Sequence, residues 1–149
     1  MGTHFKGDKT EIRALDAYIK LIRAAESVLS RVHHQTGEGL TVTQFGVMEA
    51  LHHLGPMHQR KIGLKLLKSG GNVTMVIDNL ERRELVERRR DKKDRRFVNV
   101  HLTPAGAKLI SKVFPQRVAS VKKEMCRLTA AEQEELGRLC RILGVGSES

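Results

Sequence analysis

The chain is short of aromatic residues, cysteine, proline and long apolar runs, and each shortage excludes something. Its 149 residues include four Phe, one Tyr and no Trp. Phe5, Tyr18, Phe45, Phe97 and Phe114 are too few for the aromatic platforms on which single-stranded bases stack. The two cysteines, Cys126 and Cys140, exclude a disulfide scaffold and a multi-cysteine zinc site. No run approaches the roughly 18 apolar residues that span a membrane. The stretch from Met1 to Asp8 has no apolar segment of the secretory kind. The expectation is a soluble cytoplasmic protein with no membrane partner. Phosphate-cradling loops, His-Glu-x-x-His, nucleophile elbows and Cys-x-x-Cys pairs are also missing, so no enzyme, cofactor or metal is expected.

Positive charge is what the chain has in excess. Lys and Arg number 27 against 17 acidic residues, a formal charge of +10. Residues 1–57 are neutral, with six of each sign. Residues 58–101 hold thirteen basic and six acidic residues, net +7, and residues 102–149 carry +3. An excess gathered in one 44-residue stretch is an electrostatic footprint for phosphates rather than a general aid to solubility.

Apolar spacing gives the elements. Ile12, Leu15, Tyr18, Ile19, Ile22, Ala25, Leu29 and Val32 recur every three or four residues and predict a long helix over 9–36. Thr41 and Gln44 fit a capping box that opens a second helix, ending at Gly55-Pro56. A short third helix carries Ile62, Leu64, Leu66 and Leu67. Ser69 then caps a fourth, with Val73, Val76, Ile77 and Leu80 inward. After Leu85 the period drops to two, and a charged turn, Asp91 to Arg96, joins two strand-like runs into a hairpin. Thr103-Pro104 starts a long helix that Pro115 should kink or interrupt. Thr129 to Glu132 is a further capping box, opening a last helix that Gly144 and Gly146 close.

The fold class is therefore mainly α with a small β-hairpin wing: a winged helix-turn-helix over 41–102, flanked by helices over 9–36 and 104–146 in a single domain, 1–149. The flanking helices are too apolar to stand alone, and a second copy of the chain is the economical partner.

A helix-turn-helix reads duplex DNA by placing the N-terminal end of its second helix in the major groove. Lys68, Ser69, Gly70, Gly71, Asn72, Thr74 and Met75 occupy that end. The glycines let the backbone approach closely, and Asn suits a bidentate bond to adenine. Lys92, Lys93, Arg95 and Arg96 at the hairpin tip suit the negative potential of a narrow minor groove. Asp91 and Asp94 are expected to hold those cations in place by ion pairs.

Leu40-Thr41-Val42-Thr43-Gln44-Phe45, Leu54-Gly55-Pro56, Val73 to Arg83, Leu85-Val86-Glu87-Arg88, Asp91 to Arg96 and Leu102-Thr103-Pro104-Ala105-Gly106 stand in an order and spacing that resembles the MarR family of transcription regulators. The resemblance implies a homodimer with interlocked first and last helices, a near-palindromic double-stranded DNA site, and repression relieved by a small molecule or oxidant. It also implies aromatic or phenolic effectors, without assigning pocket residues. One position departs. The family's wing reads Asp-x-Arg-Asp-x-Arg, and Lys93 stands at the first Arg while Arg96 is kept, so either Arg95 takes over that role or shape readout is weaker here. The peroxide-sensing cysteine that some members carry in the first helix is missing.

Cys126, beside Lys122, Lys123 and Arg127, is the better-placed thiol for sensing, yet both cysteines fit as small apolar helix residues. His33, His34, His52, His53 and His58 cluster near helix ends. Adjacent histidines on a helix diverge by roughly 100° and do not share one ion readily. The alternative to a sequence-specific regulator is a constitutive architectural protein that coats DNA with little sequence preference.

Overall fold

The computed structural model describes residues 4–36, 39–66 and 70–145. The elements run α1 (Lys9–Thr36), α2 (Val42–Leu54), β1 (Met57–His58), α3 (Gln59–Leu66), α4 (Gly70–Arg82), β2 (Val86–Arg90), β3 (Val98–Leu102), α5 (Pro104–Met125) and α6 (Ala130–Val145). They form two compact units, Met1–Gln35 with Ala119–Ser149, and Thr36–Val118.

In the Thr36–Val118 unit, the apolar periodicity of each element meets in one core. Phe45, Val47, Met48 and Leu51 of α2 pack with Ile62 of α3 and with Val73, Ile77 and Leu80 of α4. Val86, Val100, Ile110 and Val113 close it from the sheet and α5. Each such side chain contributes about 1.5–3 kcal/mol by leaving water. The Thr41 hydroxyl accepts from Gln44 N, and the Gln44 side chain accepts from Thr41 N, so the expected capping box opens α2. Gly55, at φ 78°, ends it.

The sheet has three antiparallel strands in the order β1-β3-β2, with Arg88 opposite Val100 and Met57 opposite Val100 on the other side. The two-residue β1 is an addition to the expected hairpin. It is too short for any period, and only its pairing with Val100 and Asn99 makes it a strand.

Helix α4 ends in a tight reversal. Glu84 adopts a left-handed φ of 59°. Its N–H donates to Glu81 O, and Leu85 N donates to Leu80 O. This is the paired pattern of a Schellman turn, here without the usual glycine. Thr103 locks onto the same turn: its N–H donates to Leu85 O at 3.1 Å and its hydroxyl to Glu84 O at 2.6 Å. The Thr103 hydroxyl also accepts from Gly106 N, capping α5 as its sequence predicts.

Two expectations need correction. Helix α5 runs through Pro115 uninterrupted, because losing one N–H bond costs less than giving up the burial of Ile110 and Val113 on the same helix. Helix α6 passes through Gly144 and runs to Val145, while Gly146, the other glycine expected to close it, lies outside the described residues. Its capping box is also half made. The Thr129 hydroxyl accepts from Glu132 N, while the Glu132 carboxylate accepts from that hydroxyl instead of from the Thr129 backbone.

In the other unit, Arg31 Nε of α1 donates to the buried Glu124 carboxylate of α5 at 2.9 Å. Here α1 and α6 expose a broad apolar surface: Tyr18, Leu21, Leu139, Ile142 and Leu143 all stand in solvent.

A methyl group on Gly106 would overlap the Leu85 carbonyl oxygen and lie 2.9 Å from its carbon. Gly106→Ala is expected to lower unfolding free energy by about 1–3 kcal/mol in urea titration, by prising α5 off the Schellman turn.

Candidate nucleic-acid interface

Two features face outward from the Thr36–Val118 unit. The first is α4. Val73, Val76, Ile77 and Leu80 turn one stripe into the core, which leaves Thr74 and Met75 exposed on the others. Gly70 and Gly71 form the first turn, and Asn72 is half-buried. Lys68 and Ser69, with the cap expected of Ser69, lie outside the described residues.

Helix α4 is braced from behind. Arg88 of β2 reaches Asp78 at 2.6 Å, Glu81 at 3.1 Å and the Thr74 carbonyl at 3.3 Å. Its Nε donates to the Gln59 side-chain oxygen, and the Gln59 amide donates to the Thr74 hydroxyl at 2.7 Å. Sequence reasoning missed both residues. Arg88 read as a strand residue at the end of the stretch Leu85 to Arg88 with no bracing role, and Gln59 lies 15 positions from its partner with no motif around it.

The second feature is the wing. Asp91 accepts from the N–H groups of Lys93 and Asp94 at 2.7 and 3.2 Å, and from the Asn99 amide at 3.2 Å. Backbone bonds from Asp91 N to Phe97 O and from Phe97 N to Asp94 O close the loop. Asp94 takes Arg96 in a fork, with Nη2 at 2.7 Å and Nε at 3.0 Å. The expectation of ion pairs therefore holds for Asp94 and Arg96. It fails for Asp91, whose carboxylate is spent on backbone amides, as an aspartate at a turn's first position favours.

These bonds set the charges. The amides of Lys93 and Asp94 hold the Asp91 carboxyl below the usual carboxylate range, with help from Asn99. The Arg96 guanidinium does the same for Asp94, and Asp94 raises Arg96 in turn.

Lys92, Lys93 and Arg95 are exposed and make no ion pair among the described residues. Arg90, which sequence reasoning also passed over, joins them. Its Nη1 donates to Arg95 O at 3.0 Å, and Arg90, Asp91, Lys92 and Arg95 line a cleft of about 570 Å³. Strand alternation alone places Arg90 beside Arg88 on β2, and the hairpin register was the signal available for it. At the wing's root, His58 Nε2 lies 3.8 Å from Asp91 and its ring packs on Phe97.

His52 and His53, both exposed, make ring contacts with Phe114. His53 stacks edge-on against Phe114, with ring centres 4.5 Å apart, and its Nδ1 meets the Glu49 carbonyl. Cys126 and Cys140 are both exposed. Among the described residues, no three His, Cys, Asp or Glu side chains gather as a metal site, and no helix is long and apolar enough to cross a membrane.

A three-helix core, an outward helix braced from behind and a basic β-hairpin beside it define a winged helix-turn-helix DNA-binding protein. The comparisons make this specific. The sequence profile of the MarR family matches residues 40–98. The HTH-type transcriptional regulator YkoM of Bacillus subtilis is 35% identical over 149 residues, covering 99% of this chain and 96% of that one. MhqR of the same organism is 31% identical over 137 residues, covering 91% and 94%. The solved structure of Bordetella bronchiseptica BpsR, whose DNA binding is regulated by 6-hydroxynicotinic acid, superposes with a TM-score of 0.76 at 28% identity, covering 84% and 96%. The chain belongs to the MarR family of transcription regulators, which are not enzymes.

Asp91→Ala is expected to speed amide hydrogen exchange at Lys93 and Asp94 and to weaken duplex binding several-fold on all sequences, leaving α4 protected. In the unaltered protein both wing carboxyls sit below their usual range, so these ties hold from neutral pH downward and loosen only as pH falls through the lowered values. Exchange at the wing measured at pH 5 and pH 7, corrected for intrinsic rates, should therefore agree.

Proposed function

We propose that the protein is a cytoplasmic, homodimeric repressor that binds a near-palindromic operator and is released by a small aromatic effector. The observation that carries the DNA-reading part is the joint presentation of the α4 N-terminal end and the basic wing on one compact unit. On this reading Gly70, Gly71, Asn72, Thr74 and Met75, preceded by Lys68 and Ser69, enter the major groove. Lys92, Lys93, Arg95 and Arg96, together with Arg90, meet the backbone and minor groove. Lys93 stands where the family's wing has Arg, and Arg95, exposed at the tip, takes the inserting role.

Dimerisation is supported by the apolar surface of the other unit. Ala14, Ala17, Tyr18, Leu21 and Ala24 of α1 face Leu136, Leu139, Cys140 and Leu143 of α6 across a groove of about 600 Å³. Tyr18 is 60% and Leu143 65% exposed, which a soluble monomer rarely tolerates in one contiguous patch. Effector release is supported by the likeness to BpsR and its 6-hydroxynicotinic acid.

Selection of the purified protein against random duplexes at physiological salt tests the reading. A two-fold symmetric site with half-sites about one helical turn apart is expected. Binding with no enriched sequence points instead to an architectural protein. On the selected site, Asn72→Ala should cost about 1–3 kcal/mol and relax selectivity at one position, while Arg95→Ala should weaken all duplexes alike and reduce the salt slope by about 1. For the dimer, light scattering should give twice the 16.7 kDa chain mass, and Leu139→Glu should return it to one.

A further inference from the structure

The contacts behind α4 carry one step more. Thr74, Asp78 and Glu81 stand at i, i+4 and i+7, one stripe of the helix, and all three are held by a single guanidinium. Arg88 is 22% exposed while Asp78 and Glu81 are 48% and 43% exposed, so the brace lies at the surface and draws its geometry from several bonds made by one guanidinium. Gln59 extends the brace by one residue. Its side-chain oxygen is fixed by Arg88 Nε at 3.2 Å, which orients the amide so that its nitrogen faces Thr74. That nitrogen then donates to the Thr74 hydroxyl at 2.7 Å. The relay runs β2 to α3 to α4 and ends on an exposed side chain of the outward helix.

In a helix, threonine divides between two χ1 rotamers because its hydroxyl has more than one place to bond. A donor fixed at 2.7 Å from the hydroxyl chooses between them. We propose that Gln59, oriented by Arg88, is a specificity-determining positioning residue. It turns the Thr74 hydroxyl toward α3 and leaves the Thr74 methyl to meet the 5-methyl group of a thymine in the major groove. Threonine methyl against thymine methyl is one of the apolar contacts by which the major groove is read. The inference rests on the reading of α4 as the DNA-reading helix.

The test replaces each thymine of the selected duplex in turn with deoxyuridine, which removes the 5-methyl and nothing else. The full-length protein should lose about fourfold in affinity at one thymine per half-site, the worth of one methyl group taken from water. Gln59→Ala should abolish that sensitivity while leaving melting temperature and salt slope unchanged. Gln59→Glu should retain the sensitivity, since one carboxylate oxygen still takes Arg88 and the other accepts from the Thr74 hydroxyl, holding the same rotamer. Thr74→Val should keep the sensitivity, because valine holds a single χ1 rotamer in a helix without help. In that background Gln59→Ala should have no further effect, a non-additivity that a purely structural role would not produce.

Three results would overturn the inference: no thymine sensitive to loss of its methyl, Gln59→Ala retaining the sensitivity at the same thymine, or Gln59→Ala weakening every duplex equally with a shallower salt slope, which makes Gln59 a phosphate contact. A protein that enriches no duplex at all fails earlier and for another reason, because then α4 reads no sequence.

Discussion

The reversal at Glu84-Leu85 is the constraint on which the DNA-binding unit depends. Within three residues, Arg83 to Leu85, the chain leaves α4 and enters β2, so the angle between the outward helix and the wing is set there. Two carbonyls of that turn are taken by one residue, Thr103, arriving from the far end of the hairpin. The start of α5 follows at once, with Gly106 against the Leu85 carbonyl. Helix, wing and long helix thus share one hydrogen-bonded knot. Arg88, three residues further on, fastens α4 to the strand a second time. A left-handed residue other than glycine is tolerated at the centre because so many bonds over-determine it.

Much of this was legible in the sequence, and the pattern of what was not is physical. Capping boxes, apolar stripes and the period change after Leu85 are local. They announce α1, α2, α4, α5 and the hairpin because each signal lies within a few residues of what it determines. Strand β1 is invisible because two residues have no period, and Val100 and Asn99 confer its strand character from 40 residues away. Gln59 and Arg88 are invisible for the same reason. Gln59 belongs to no motif, and Arg88, although it ends the stretch Leu85 to Arg88, acquires this role only when the fold brings Thr74 beside it. Asp91 and Asp94 look equivalent in sequence. Backbone geometry separates them: one is placed to receive turn amides, the other to receive a guanidinium.

The two lobes illustrate opposite uses of surface. In the Thr36–Val118 unit most apolar side chains are gathered into one core, with Leu54, Leu64 and Met75 left at the surface among the cations. In the other unit little is buried along α1 and α6, which leave tyrosine, leucine and isoleucine exposed side by side. Charge segregation along the chain, neutral to residue 57 and +7 over the next 44, is the linear trace of that division.

The wing's unequal cations have a consequence in time. Arg96 is already immobilised by Asp94, so its side-chain entropy was lost when the chain folded. Lys92, Lys93 and Arg95 keep their rotational freedom until a phosphate arrives. Mobile cations spread their field over a wide capture radius and speed the first encounter with a polyanion, but each gives up freedom on docking. A fixed guanidinium adds little to capture and gives up little on docking. The hairpin tip therefore separates arrival from residence, with loose side chains governing how quickly DNA is found and the Asp94-held arginine governing how well the final geometry is kept.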